Sequence, residues 1–223
     1  ITSYLAPKNP HTGSILWRSE YTALNEKGEI LHDQAKYWGQ RGIHYHQFLK
    51  AGENTLNFQL ATELVRLCEL NSGYDPDEWL AHYIDFMLTP GSHRDSYLEE
   101  YHRGFFTKYS QGKAPRKCSI KDEHIGGLAQ VPALCFVLRE LDLPELRAAV
   151  KQHVSLTHAH PNVLRAADTL ARLIFRIKEG MPLREAIQKE AGDWISGTKA
   201  VQWSAQPDTY VIGPRFSPAC CIA

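Results

Sequence analysis

The chain has 223 residues, 43% of them apolar and 22% charged, an ordinary globular balance that permits a folded core and carries no disorder signature. Its 25 basic and 25 acidic side chains cancel, which argues against nucleic acid or an anionic membrane surface as the main partner, since both call for surplus positive charge. No run reaches the ~20 apolar residues of a membrane-crossing helix. The five cysteines are odd in number and lack CxxC spacing, so they fit reduced thiols in a cytoplasmic compartment better than a disulfide scaffold or a structural zinc site.

Residues 1–50 carry Gly, Pro, Asn, His and aromatic punctuation with little helical period, and read as loops with a short helix near 35–40. The first helix follows, where Leu56, Leu60, Leu64, Leu67 and Cys68 recur at helical spacing and Asn71-Ser72-Gly73 supplies a stop. Asp75-Pro76 opens a second helix, with Trp79, Leu80, Tyr83, Ile84 and Met87 as its apolar face and Pro90-Gly91 as its end. A third, aromatic and mixed in charge, is expected over 96–109, and 111–117 is a polar turn. A fourth is expected over 124–141, with Pro132 kinking it or marking its true start. Pro144 opens a fifth running to about residue 158. Pro161 opens a sixth with the cleanest apolar stripe, from Val163 to Phe175, and Gly180 ends it. Pro182 opens a seventh through Leu183, Ile187 and Trp194. Beyond Gly197 lies a loop with brief strand-like pieces such as Tyr210-Val211-Ile212. Short connections without strand–helix alternation predict an all-α, single-domain, multi-helix bundle over 1–223, with a loop-rich part to residue 50, a helical core over 51–196 and a C-terminal loop over 197–223. The start at Ile1, without an initiator methionine or a signal pattern, and the apolar end at Ala223 read as cuts through a longer protein.

Several local patterns bear on chemistry. His44-Tyr45-His46 could supply metal ligands but reads better as loop packing. Cys68 and Cys135 fall on apolar helical faces, where a thiol behaves as a small hydrophobe. No HExxH, GxSxG, Walker or GxGxxG pattern occurs. Glu99-Glu100 and Asp122-Glu123 are adjacent carboxylates and read as solvated surface, because neighbours on a helix point apart. The segment Gly52-Glu53-Asn54-Thr55-Leu56-Asn57 offers oxygen donors for a hard cation, or simply a helix start capped by Asn54 or Thr55. In His124-Ile125-Gly126-Gly127, paired glycines leave the backbone open to a ligand phosphate, or allow close helix packing. His158 follows Leu156-Thr157 at the end of the fifth helix, where it can meet the helix dipole, and His160 is placed to cap the sixth.

In this order the islands Gly52-Glu53-Asn54-Thr55, Gly126-Gly127 with Pro132, and Leu156-Thr157-His158 resemble the ADP-ribosylglycohydrolase superfamily. The Glu99-to-Phe106 stretch resembles the branch that includes the J-type crystallins. The resemblance spans roughly residues 40–223 and implies an all-helical fold holding two Mg²⁺ ions beside ADP-ribose, with a metal-bound water cleaving a glycosidic bond. It implies Glu53, Asn54 and Thr55 on the metal side, and Gly126, Gly127, His124 and His158 on the ligand side. Two departures stand out. Asn54 is neutral where the family pattern is acidic, and the family's C-terminal Gly-Gly-Asp-Thr-Asp-type run is absent. The resemblance therefore implies either an Mg²⁺-dependent hydrolase of ADP-ribosyl bonds, or a fragment of one, or a non-catalytic, crystallin-like member that keeps the fold with a degenerate metal site.

Overall fold

Proline decides where four of the helices begin, because a residue without an N–H loses nothing in a first helical turn. The computed structural model describes residues 25–38, 40, 43 and 46–195. Within them helix α1 spans Leu56–Leu70, α2 Pro76–Leu88, α3 Glu100–Ser110, α4 Val131–Val137, α5 Leu143–Ser155, α6 Pro161–Lys178 and α7 Leu183–Ile195. Pro76, Pro132, Pro144 and Pro161 all sit in first turns. Three of these helices add a side-chain cap. Asp75 accepts from the N–H groups of Asp77 and Glu78, Asp142 accepts from that of Glu145, and His160 Nδ1 accepts from that of Asn162. The capping role expected of His160 is thus observed.

The fold is all-α, with no strand among the described residues. Helix α6 runs through the middle, against α5 on one side, α7 on another and α4 below. Ala166, Ala167 and Ala171 are fully buried along it, and their small size lets these neighbours come close. Arg147 of α5 donates both guanidinium edges to Asp168 of α6, at 2.7 and 3.0 Å, while Arg172 and Arg176 hold Glu190 of α7. Burial would raise both carboxyls, but these hydrogen bonds outweigh it and hold Asp168 and Glu190 below their ordinary values. The other half of the core is α1 against α4 and α2, with Leu60, Leu64, Met87, Phe105 and Phe106 essentially removed from water. Each such side chain stabilises the fold by about 1.5–3 kcal/mol relative to an exposed one.

Several boundaries differ from expectation. The single helix expected over 124–141 is two pieces, a 3₁₀ turn Ile125–Leu128 and then α4, so Pro132 marks a new start and not a kink. Helix α3 begins at Glu100, four residues late, because Ser96 and Leu98 turn inward as part of the approach to it. Helix α5 stops at Ser155, three residues early. The short helix near 35–40 is a 3₁₀ segment His32–Tyr37. No described helix is long and apolar enough to cross a membrane. Cys68, Cys118 and Cys135 are buried, and burial pushes the Cys68 and Cys135 thiols up to about 11 and 12, so neither is a thiolate nucleophile. His44, Tyr45, the 210–212 segment, Cys220 and Cys221 lie outside the described residues.

The early end of α5 matters for the site. The chain leaving it pairs with the 119–122 segment. Ile120 donates its N–H to Thr157 O at 3.1 Å, and Ala159 donates to Ile120 O at 2.7 Å. Ile120 in turn lies against Gly104 of α3, where an added Cβ would come within 2.8 Å of it. One loop is therefore clamped between α3 and the start of α6.

Candidate functional site

The first turn of α1 has two neighbours of different character. On its outer side, Glu53 and Asn54 are exposed and Thr55 occupies the N-cap position without making a side-chain cap. The cap comes from elsewhere in the chain, as Asp95 Oδ2 accepts the Leu56 N–H at 2.7 Å while Asp95 Oδ1 meets His46 Nδ1 at 3.1 Å. The buried carboxylate nearest this turn is therefore occupied on both oxygens. Glu53 Oε2 accepts from the N–H of Lys50 at 2.8 Å, and its Oε1 faces Arg94 Nη1 at 3.7 Å. Glu53, Asn54 and Arg94 line an open hollow of about 400 Å³ together with Leu49, Gly52 and Gln59 and the 91–93 segment, and Glu53 is the sole acid in that lining.

This donor set does not fit a pair of divalent ions. Two dications ask for several carboxylate oxygens, and here one carboxylate stands with a guanidinium 3.7 Å away. Among the described residues no group of three or more His, Cys, Asp or Glu is placed to hold a metal. At ~4 Å a unit charge repels a dication by about 2 kcal/mol even in water, enough to weaken binding roughly 30-fold.

On its inner side, α1 reaches a denser arrangement through Asn57. The Tyr101 hydroxyl donates to Asn57 Oδ1 at 2.8 Å, which turns the amide so that its Nδ2 donates to Glu99 Oε2 at 3.1 Å. Glu99 is the residue immediately before α3. Gly126 and Gly127 of the 3₁₀ turn are wedged between this carboxylate and His158. A Cβ on Gly126 would fall 2.6 Å from Glu99 Oε2, and one on Gly127 would fall 2.8 Å from Val163 Cγ1 and 2.9 Å from His158 Cγ. Close approach, the packing alternative for these glycines, is what the structure uses them for.

Asp122 completes the cluster. The clamped loop turns it inward, and it is buried. Its Oδ1 accepts from both the backbone N–H of His124, at 2.9 Å, and the ring Nδ1 of the same residue. Its Oδ2 is buried without a hydrogen-bond partner, as is His158 Nε2. His158 Nδ1 meets the Thr157 hydroxyl at 2.9 Å, and its ring lies 4.3 Å from that of Tyr101. His160 Nε2 reaches Glu123 at 3.1 Å and ties the two loops together a second time.

Electrostatics separate the two carboxyls. Burial pushes Glu99 up from its ordinary value, the charge of Asp122 adds to this, and the Asn57 hydrogen bond opposes it. Burial acts on Asp122 in the same direction, but the His124 hydrogen bonds outweigh it and hold Asp122 below the usual carboxylate range. Burial drives His158 down to about 4, so the imidazole is neutral near pH 7.

The site residues proposed from sequence therefore fall into two groups. Gly126, Gly127, His124 and His158 are brought together, while Glu53, Asn54 and Thr55 stand apart on the rim. The expected dipole role of His158 is not observed, since its ring is buried against Tyr101 and Thr157. Two residues read as solvated surface are corrected, because Glu99 is half-buried and Asp122 fully buried, while Glu100 and Glu123 are exposed. The rule that neighbouring carboxylates diverge applies, and it is the divergence that sends one member of each pair inward. Asn57, the second residue of α1 and the link between the two sides, stood in the sequence only as the last member of the oxygen-donor segment. A family model described as ADP-ribosylglycohydrolase matches residues 17–214. No curated protein and no solved structure matches the chain.

Proposed function

The chain belongs to the ADP-ribosylglycohydrolase family, and from that premise we propose that it binds an ADP-ribosyl group beside the Gly126-Gly127 turn and hydrolyses its glycosidic bond. The observation that carries this reading is the cluster in which Glu99 and His158 close on two glycines that admit no side chain, with Asp122 hydrogen-bonded to His124 on the adjoining loop. The backbone of this turn is half-buried, which leaves part of it to a ribose or pyrophosphate, and the neutral imidazole of His158 adds a group that can accept or donate to a hydroxyl. Buried polar atoms without partners, such as Asp122 Oδ2, are costly to the fold and suit a site that receives its partners with the substrate.

Glu53, Asn54 and Thr55 are the residues that family likeness assigns to Mg²⁺, and their chemistry supports a second reading. With Glu53 facing Arg94 and Asn54 neutral, the rim suits a member that binds ADP-ribose without turnover, in the manner of a crystallin-like branch. Calorimetric titration with ADP-ribose, with and without Mg²⁺, followed by an assay for ADP-ribose release from ADP-ribosylated peptides, separates the two. Binding with release supports the hydrolase. Binding without release supports the second reading, and no binding in either condition sinks both.

A further inference from the structure

We propose that the open hollow beside the first turn of α1 is a binding site for a primary carboxamide, received by Gln59, Ser92 and His93. The inference goes beyond the hydrolase reading and stands apart from it, because none of the three belongs to the cluster around Gly126 and Gly127.

The hollow has a volume of about 400 Å³, within the size range of small-ligand sites. Its distinguishing feature is unused hydrogen-bonding capacity. Gln59 Oε1, Ser92 Oγ and His93 Nδ1 are buried without a partner, three of the eight such side-chain atoms among the described residues, and all three residues line this hollow. Each such atom destabilises the fold, because its hydration is lost and not replaced. The wall that carries them is held firmly. His93, only 5% exposed, donates from Nε2 to Ile30 O at 2.8 Å, and Asp95 of the same loop caps α1. The Ser92 N–H donates to Thr89 O at 3.2 Å and closes the turn after α2. Gln59 Nε2 donates to Asn54 O at 2.7 Å, which leaves Oε1 as the unused end of the amide.

Those bonds also determine what each remaining atom can do. A carbonyl only accepts, so His93 carries its proton on Nε2 and presents Nδ1 as a bare acceptor. Burial lowers the proton affinity of this ring and keeps it neutral. Gln59 Oε1 is a second acceptor, and the Ser92 hydroxyl can donate. Two acceptors and one donor complement a primary carboxamide, which offers two N–H donors and a carbonyl acceptor. A carboxylate would set its lone pairs against two acceptors, and an ester has no N–H to give. A guanidinium would bring a positive charge to a neutral wall, while on the rim Glu53 already faces Arg94 at 3.7 Å. Leu49 adds an apolar surface for the rest of the ligand.

The test titrates the whole ¹⁵N-labelled chain with benzamide and follows proton–nitrogen correlation spectra. Saturable shifts are expected at the Ser92 and Arg94 N–H groups, the Gln59 side-chain amide and His93 Nδ1. Benzoate, methyl benzoate and phenylguanidinium should bind about 10-fold more weakly or worse, a comparison on the wild type that needs no variant. Ser92→Ala and Gln59→Met, both at half-buried positions, should each weaken benzamide by about 3- to 10-fold with the fold intact by thermal melting. A peptide bearing Gln, set against the same peptide bearing Glu and against benzamide, shows whether a protein side chain or a small amide is the better source of the group. Saturating ADP-ribose should leave benzamide in place. No saturable shift at these residues, equal binding of benzoate or phenylguanidinium, full affinity in both variants, or displacement by ADP-ribose overturns the proposal. None of these outcomes decides the hydrolase reading, which stands or falls on release of ADP-ribose.

Discussion

The two sides of the first turn of α1 contain similar residue types and do different things with them. On the rim, Glu53 is exposed, spends one oxygen on the Lys50 N–H and directs the other at Arg94. In the interior, Glu99 is half-buried against the Asn57 amide and Asp122 is buried with Oδ2 unpartnered, and their surroundings push the first up and hold the second down in proton affinity. A carboxylate at a surface turn is screened and easily replaced, and an exposed ion pair is worth little. A carboxylate inside the fold must be arranged, because its solvation has been removed. The contrast is between a buried cluster and the exposed stretch that most resembles a metal motif.

Four expected outcomes sharpen or break that contrast. The largest is acidification, which should strike the interior alone. The pKa of His158 is depressed to about 4 in the fold. Its contribution is therefore full above the unfolded value near 6.5 and is lost progressively as pH falls from there to about 4, by about 3 kcal/mol. Glu99, raised, works in the opposite sense and offsets part of this. Thermal melts across pH 7 to 4 should show the loss, and His158→Gln should reduce it without abolishing it, because burial lowers His153 to about 3 and that ring contributes in the same sense. A flat profile in the wild type would mean that the ring is hydrated and the interior is not closed.

Next comes Gly127→Val, which forces atoms against Val163 and His158 and should cost about 1–3 kcal/mol by urea denaturation, with loss of ADP-ribose binding. Asn57→Ala removes the connection between the two sides and leaves Tyr101 and Glu99 each one partner short. It should cost about 1–2 kcal/mol, with a shift in the pH dependence of activity. The smallest effect belongs to the rim. Glu53→Gln should change stability by less than about 0.5 kcal/mol and should leave ADP-ribose affinity in EDTA unaltered. A large loss of affinity there would restore the rim as the working half.

His153 shows how a scaffold residue can imitate a functional one. Its ring is buried between Tyr74 and Gln130, accepting from the first at 2.9 Å and donating to the second at 3.0 Å, and burial lowers it to about 3. Both nitrogens are satisfied, so it has nothing left to offer a substrate. His158 has a nitrogen to spare. Depth alone does not separate them; the count of partners does.

The amino-acid sequence by itself determined the helices and their order. Periodic leucines in α1, the Asp75-Pro76 start of α2 and the alanine-rich stripe of α6 are local patterns, and local patterns report on backbone preference and on which face turns inward. The family resemblance also grouped Gly126, Gly127, His124 and His158, which the structure brings together, and set them apart from Glu53, Asn54 and Thr55. The sequence did not reveal that the expected fourth helix is broken, that Asp95 rather than Thr55 caps α1, or that Glu99 and Asp122 point inward. Those features depend on the bridge from Ile120 to the 157–159 segment and on the approach of α3 to it, contacts between residues about 40 positions apart or separated by whole helices. Only the tertiary structure decides them, because the proton affinity of a carboxylate is set by the groups and the solvent around it, and these are brought together by chain packing and not by neighbours in sequence.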